Sequence, residues 1–288
     1  MTHDAADTGD STETTAAAAA TRPTVDELRD LAVRLATEAG ALALRRRREG
    51  AEVAATKSTS VDVVTHTDRE VEQVLRERLA ELRPGDGFHG EEGEPDLSST
   101  GLTWVVDPID GTVNFVYGIP QWAVSVAVVE GGADPLTWRA LAAAVVNPTT
   151  GETWSAADGR GAWLGDERLA VTGPTSLEQS MFATGFSYDA ARRVEQAEVL
   201  TRVIGRVRDL RRLGAASLDL CAVASGRLDV YAERGLQAWD HAAGVLVARE
   251  AGAVVTGERG AAPSRDLVLA AAPGVAEAAR VLVEDAGL

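Results

Sequence analysis

Asp107 and Asp110 stand three positions apart at the end of an apolar run over 102–106, with Pro108 between them and Gly111-Thr112 directly behind. Two carboxylates this close on one turn repel each other unless a cation sits between them. Hard divalent cations take oxygen ligands, and Mg²⁺ is commonly held by one or two carboxylates together with a substrate phosphate. Gly111 lets the backbone approach a ligand closely, and the free N–H groups of a short helix opening at Thr112 favour an anion. The stretch 104–115 therefore predicts a metal-and-phosphate site at the C-terminal end of a buried strand. Pro108 has no backbone donor and pre-sets a turn, so the strand is expected to stop there. A turn that uses Asp and Gly for backbone reasons alone is the plainer alternative.

Other residues able to do chemistry are scattered along the chain. Asp68 reads as the N-cap of a helix over 69–82, and Lys57 as a surface lysine. Glu91 and Glu92 follow Gly90, a triplet whose interest is its place just upstream of Asp107. Glu233 follows a short strand over 228–231, and Asp240 opens a helix where an acid is favoured by the helix dipole. Gly214, Ala215 and Ala216 read as small residues for tight helix packing. His66 and His89 could bind transition metals, but the oxygen-rich set around them favours Mg²⁺ and leaves both peripheral. Cys221, the single cysteine, allows no internal disulfide and lies in an apolar run, so it reads as core in a reducing, cytoplasmic setting.

The elements that must position these groups follow from periodicity. Residues 1–23, low-complexity and alanine-rich, are expected to be a disordered tail. Thr24 and Glu27 form a capping-box pattern ahead of an amphipathic helix reaching about Arg47. The basic run Arg45 to Arg48 suits a helix C-terminus. After the central motif, strands are expected over 122–129 and 140–146. A hairpin joins 152–156 to 162–164 through Asp158-Gly159-Arg160-Gly161, which makes the sheet largely antiparallel. A boundary is expected near Val171-Thr172-Gly173-Pro174. It divides an N-terminal α+β half, 24–172, carrying the metal motif, from a C-terminal half, 173–288, that completes the site. The second half reads as alternating α/β: strands over 180–184, 228–231, 253–255 and 267–270, with helices over 194–207, 218–224 and 274–283.

A chain of 288 residues can bury a substantial core. Its formal net charge of −16 argues against non-specific nucleic-acid binding. The same charge is at odds with an anionic substrate unless bound Mg²⁺ inverts the local field. No apolar run approaches the roughly 20 residues that cross a bilayer, and no basic segment precedes an apolar one at the N-terminus. There is no internal repeat, dinucleotide fingerprint, P-loop or Cys/His zinc spacing.

The central motif, Trp104-Val105-Val106-Asp107-Pro108-Ile109-Asp110-Gly111-Thr112, resembles a signature of the inositol monophosphatase family, within the Mg²⁺-dependent, Li⁺-sensitive phosphatase superfamily. Trp239-Asp240-His241-Ala242-Ala243-Gly244 resembles the family's second signature. The resemblance runs from about Thr24 to the C-terminus. It implies a layered αβαβα sandwich of the inositol monophosphatase/fructose-1,6-bisphosphatase type, with the site between the halves, and a homodimer. It implies a Mg²⁺-dependent hydrolysis of inositol 1-phosphate, with two to three Mg²⁺ per site. Glu91, Asp107 and the Ile109 carbonyl would hold a first metal, and Asp107, Asp110 and Asp240 a second. Thr112 and Asp68 would orient the attacking water. Gly111 and Thr112 would cradle the phosphate, while Gly214, Ala215, Ala216 and Glu233 would contact the substrate. Lys57 matches a loop lysine near the metals. Histidinol phosphate, fructose 1,6-bisphosphate and 3′-phosphonucleotides are substrates of the same superfamily. Some family members are linked to transcription machinery, which leaves a regulatory binding protein as a reading of another class.

Overall fold

The computed structural model describes residues 22–50, 53–56, 63–171 and 173–288. The tail expected over 1–23 lies outside the described residues up to Thr21, as do Lys57 and Thr172. Arg22, inside the stretch expected to be disordered, is paired with Glu130. Helix α1 (Val25–Glu49) begins at the expected capping box, in which Glu27 N donates to Thr24 Oγ1 and Thr24 N donates to Glu27 Oε2. Strands β1 (Val53–Thr56) and β2 (Val63–Thr65) pair antiparallel and lead into α2 (His66–Leu82). The N-cap of α2 is Thr65, not Asp68. Thr65 is extended and its hydroxyl accepts from the Thr67 and Asp68 amides, while Asp68, three residues on, accepts from Thr65 N at 2.9 Å. A hydroxyl and a carboxylate thus cap each other, which starts the helix three residues earlier than expected.

Seven strands form the first sheet: β3 (Gly87–Gly90), β4 (Leu102–Asp110), β5 (Ala123–Glu130), β6 (Arg139–Asn147), β7 (Glu152–Ala157), β8 (Gly161–Leu164) and β9 (Glu167–Arg168). They lie side by side in chain order. Only the β3–β4 pair is parallel, so the antiparallel expectation holds for the rest. Pro108 does not end β4. The strand continues to Asp110, and its register against β5 slips between Asp107 and Asp110. An irregularity in pairing accommodates the missing proline donor, as bulges do elsewhere. The short helix α3 (Thr112–Tyr117) follows at once.

The second sheet contains β10 (Met181–Ala183), β11 (Asp209–Arg211), β12 (Val230–Glu233), β13 (Val254–Thr256) and β14 (Val268–Ala271), in the order β11-β10-β12-β14-β13. It is mixed: β10 runs parallel to β11 and β12, whereas β14 runs antiparallel to β12 and β13. Its helices are α4 (Ala190–Val203), α5 (Ala216–Ala224), α6 (Ala238–Glu250) and α7 (Ala276–Ala286). Helix α4 starts four residues before the expected 194 because Asp189 caps it, accepting from Arg192 N at 2.8 Å.

Alternation along the strands assigns the layers. On β4 and β5, Trp104, Val106, Val124, Val126 and Val128 face α1 and α2 in one core. Val105, Ala123, Ala127 and Val129 face the opposite way, toward Leu218 and Cys221 of α5 and Leu246 of α6. On the second sheet, Ala183, Tyr231, Val268 and Ala270 pack on α5 and α6, while Phe182, Val230 and Leu269 pack on α4 and α7. A period of two on two-sided strands demands cover on both faces. The result is five layers, αβαβα, with α5 and α6 in the middle. This sandwich brings the end of β4 beside the starts of α5 and α6.

Candidate active site

The carboxyl end of β4, the start of α3, the starts of α5 and α6 and the end of β12 meet around one cavity of about 610 Å³. From the first half come Glu91, Asp107, Ile109, Asp110, Gly111 and Thr112; from the second come Gly214, Ala215, Ala216, Glu233 and Asp240. Among the described residues, every one expected at the site lines this cavity except Asp68. That carboxylate is fully buried behind the wall and reaches the cavity through a neighbour. Thr112 Oγ1 lies 3.1 Å from Asp68 Oδ1 and 3.1 Å from the Ile109 carbonyl oxygen, so its one proton serves either acceptor.

The backbone explains how the acids are presented. Gly111 sits at φ +91°, the left-handed region, and turns the chain from β4 into α3. A Cβ there would stand 3.0 Å from Gln121 O, 3.1 Å from Gly214 O and 3.3 Å from Ala215 Cβ, so Gly is required for both its dihedral and its space. Asp107 Oδ1 accepts from Ile109 N at 3.0 Å, which fixes one carboxylate oxygen within its own turn. Asp110 is held from across the molecule, accepting from Ala216 N at 3.2 Å, from Ser217 N at 2.7 Å and from Ser217 Oγ. Asp240 Oδ2 accepts from Gln237 N at 2.7 Å, locking the first turn of α6. Asn114 on α3 donates to Gln121 O at 2.7 Å and to Leu213 O at 2.9 Å, tying the motif to the loop that carries Gly214.

The electrostatics are dominated by the burial of several acids around one cavity. Burial pushes Asp110 up to about 6, against the pull of its Ser217 and Ala216 donors. Asp240 is pushed well above the ordinary carboxylate range, first by burial and then by Glu91 and Asp110. Glu233 is raised to about 7, mainly by burial, with Tyr231 Oη donating at 2.7 Å and the Arg212 charge opposing the shift. His241, next to Asp240 in sequence, is driven down to about 4 by burial and is neutral at physiological pH. His89 is likewise lowered by burial and packs edge-on against Trp239 at 5.2 Å. Neither histidine lines the cavity.

The donor set around the acids consists of carboxylates and a carbonyl, which suits a hard oxygen-seeking cation. Burial raises Asp110, and burial with like charge from Glu91 and Asp110 raises Asp240, so a cation between them would offset the penalty on their ionised forms. Among the described residues no three His, Cys, Asp or Glu groups already converge at metal-ligand spacing. On donor chemistry and charge, the site fits Mg²⁺.

Not expected from the sequence are Ser217 and Asn114, which brace the site from behind, and four arginines that line the cavity: Arg192, Arg212, Arg234 and Arg265. Asn114 lies within the 104–115 stretch, but its side-chain bonds appear only in the fold; the others sit in no motif and reach the site through packing. Besides lining the cavity with Gly214 and Ala215, Ala216 donates its amide to Asp110, as does the next residue, Ser217.

A model of the inositol monophosphatase family matches residues 24–286. The inositol-1-monophosphatase SuhB of Mycobacterium tuberculosis (strain ATCC 25618 / H37Rv) is 46% identical over 269 residues, covering 87% of this chain and 91% of that protein. A Pseudomonas aeruginosa relative that bears the name Nus factor SuhB is 38% identical over 237 residues, covering 79% of this chain and 84% of that one. The solved structure of Mycobacterium tuberculosis SuhB superposes with a TM-score of 0.77 at 44% identity, covering 92% of this chain and 98% of that chain.

Proposed function

This chain belongs to the inositol monophosphatase family, and from that premise we propose that it is a Mg²⁺-dependent phosphomonoesterase that hydrolyses inositol 1-phosphate to inositol and phosphate. The observation that carries the reading is the convergence of Glu91, Asp107, Asp110 and Asp240, from distant parts of the chain, on one cavity that Glu233 also lines.

In this reading Glu91, Asp107, the Ile109 carbonyl, Asp110 and Asp240 hold two to three Mg²⁺. When bound, the metal supplies Lewis-acid charge stabilisation and makes water a better nucleophile. The chain's own residues do the positioning. Asp68 accepts the Thr112 hydroxyl proton and so turns a lone pair of Thr112 Oγ1 toward the cavity, where it orients the attacking water. The Gly111 and Thr112 amides face the phosphate. Glu233, held by Tyr231, accepts from a substrate hydroxyl. The Gly214-Ala215-Ala216 turn closes one wall against the polyol ring.

Phosphate release from inositol 1-phosphate by the purified protein tests this. It should require Mg²⁺, vanish with EDTA, fall with millimolar Li⁺ and be lost in Asp110→Asn. Activity indifferent to EDTA overturns the reading. Histidinol phosphate, fructose 1,6-bisphosphate and a 3′-phosphonucleotide belong in the same panel, because the metal carboxylates do not distinguish among them; Glu233 favours a polyol. Location in the cytoplasm and dimerisation belong to the same reading. For membranes, no helix among the described residues is long and apolar enough to cross a bilayer. A second reading, a regulatory protein of the transcription machinery, rests on the relative named Nus factor SuhB. Co-purification with RNA polymerase supports it, and its absence removes it.

A further inference from the structure

Glu91 lies in the run Gly90-Glu91-Glu92-Gly93, where β3 gives way to the irregular stretch ahead of β4. A carboxylate on such a stretch holds a ligand well only if the backbone on both sides of it is fixed. On the N-terminal side the sheet does this, since Gly90 is the last residue of β3 and pairs with Val106. On the C-terminal side the anchor is Glu72 of α2, whose Oε2 accepts from Glu92 N at 2.7 Å. Glu72 is only 3% exposed, and its Oε1 accepts at 3.3 Å from Nη2 of Arg76, one helical turn further on. Arg76 extends the hold. It donates to the Glu94 carbonyl at 3.1 Å, pairs with Asp96 and lies over the Phe88 ring at 4.2 Å. The two glycines leave room for this clamp. A Cβ on Gly90 would stand 2.3 Å from Glu72 Oε2, and one on Gly93 would stand 2.9 Å from Glu72 Oε1 and 2.8 Å from Arg76 Nη2.

Helix α2 is itself firmly seated, with Val71, Leu75 and Leu79 in the same core as Trp104 and Val106 of β4. One turn before Glu72, on the same face, stands Asp68, whose Oδ1 lies 3.1 Å from Thr112 Oγ1. A single rigid helix therefore reaches two parts of the site, the Glu91 stretch through Glu72 and the Thr112 turn through Asp68. We propose that Glu72 and Arg76 are positioning residues that set the affinity of the site for the cation held by Glu91, by keeping the Gly90-Gly93 run in place beside the acids at the end of β4. The inference rests on the phosphatase reading above, and adds to it two residues outside the cavity on which metal binding depends.

Glu72→Gln and Arg76→Ala test this on the full-length protein, each beside the wild type. Glu72→Gln keeps the shape of the side chain, but its amide retains one acceptor oxygen and so serves Glu92 N or Arg76, not both. Calorimetric titration with MgCl₂ alone, without substrate, reads the cation affinity directly. Both variants should weaken it, Glu72→Gln by about tenfold, the lower end of what residues behind a metal ligand contribute. The sign for Arg76→Ala is decisive. If the two side chains acted only through their charge, removing the Glu72 anion would weaken cation binding and removing the Arg76 cation would tighten it. A stretch held in place predicts weaker binding in both. With inositol 1-phosphate as substrate, the half-saturating Mg²⁺ concentration should rise in parallel, and excess Mg²⁺ should restore most of the lost rate. Urea unfolding of the same variants separates packing from positioning. A loss of stability with unchanged Mg²⁺ affinity in Glu72→Gln, or tighter binding in Arg76→Ala, overturns the proposal and leaves the phosphatase reading intact. Absence of both Mg²⁺ binding and phosphate release in the wild type sinks that reading instead, and the proposal with it.

Discussion

The Asp110 carboxylate and Ser217 are 107 positions apart in the chain, yet Ser217 donates to it twice, from its amide at 2.7 Å and from its hydroxyl. This link spans the first sheet and the central helix layer. It fixes where the acid points, and it lowers the proton affinity that burial raises.

Ser217→Ala removes one of the two Ser217 donors. A lost hydrogen bond to a buried charged group costs about 1.5–3 kcal/mol. Urea unfolding should show a loss on that scale. The acid limb of the kcat/KM profile should move to higher pH, because Asp110 loses a contact that favours its ionised form. A stability loss with an unmoved limb would mean that Ser217 only packs.

Asp110 and Glu233 titrate at about 6 and about 7 in the folded protein, against ordinary values of 3.8 and 4.5. Raised acids keep protons in the folded state that the unfolded chain has released. Metal-free stability contributed by these two groups is therefore complete below the ordinary values and declines as pH rises through the folded ones. Mg²⁺ competes with protons for the Asp110 oxygens, so its stabilisation should grow across the same window. Melting scans with EDTA or Mg²⁺ at about pH 5 and about pH 8 would check this. An identical Mg²⁺ increment at both would contradict it.

Thr112→Val keeps the shape of the side chain and deletes the hydroxyl that contacts Asp68. If that hydroxyl orients the attacking water, kcat should fall by about 10²–10³-fold with KM little changed, the scale of a lost proton-handling group. Thr112→Ser should recover most of the rate, since the hydroxyl returns. Wild-type kcat in Thr112→Val would show that the Asp68–Thr112 pair is structural only.

Gly111→Ala should destabilise the fold by about 1–2 kcal/mol from its left-handed dihedral alone, with more from the contacts its Cβ would meet. Because that Cβ would press on the backbone oxygens of Gln121 and Gly214, activity should fall even where the protein remains folded. Circular dichroism with urea, beside phosphate release, separates the two effects.

Gly185 and Glu233 should give matching phenotypes. A Cβ on Gly185 would stand within 2.0–2.2 Å of the Glu233 carboxylate, so Gly185→Ala must push that side chain aside. Glu233→Gln and Gly185→Ala should each raise KM for inositol 1-phosphate by about tenfold, the loss of one hydrogen bond to a charged group. Unchanged KM in both variants would remove Glu233 from substrate binding.

Much of this protein was readable from its residues because the signals were local. The Thr24 box, the alternation of β5 and β6, the hairpin at Asp158-Gly159 and the acid-Pro-Ile-acid-Gly-Thr motif each announce themselves within a few positions. The motif chemistry, hard oxygen donors beside a turn suited to an anion, needs no partner to be recognised. Packing decided the rest. Pro108 stays within β4 because a slip in pairing with β5 absorbs it, and Thr65 rather than Asp68 caps α2 because the two side chains satisfy each other. Ser217 reaches Asp110 only once α5 is sandwiched between the sheets, and Arg192, Arg234 and Arg265 line the same cavity as the acids only once the chain has folded. A residue's type and immediate neighbours determine its local conformation, but which charges stand opposite one another across a cavity is set by long-range burial.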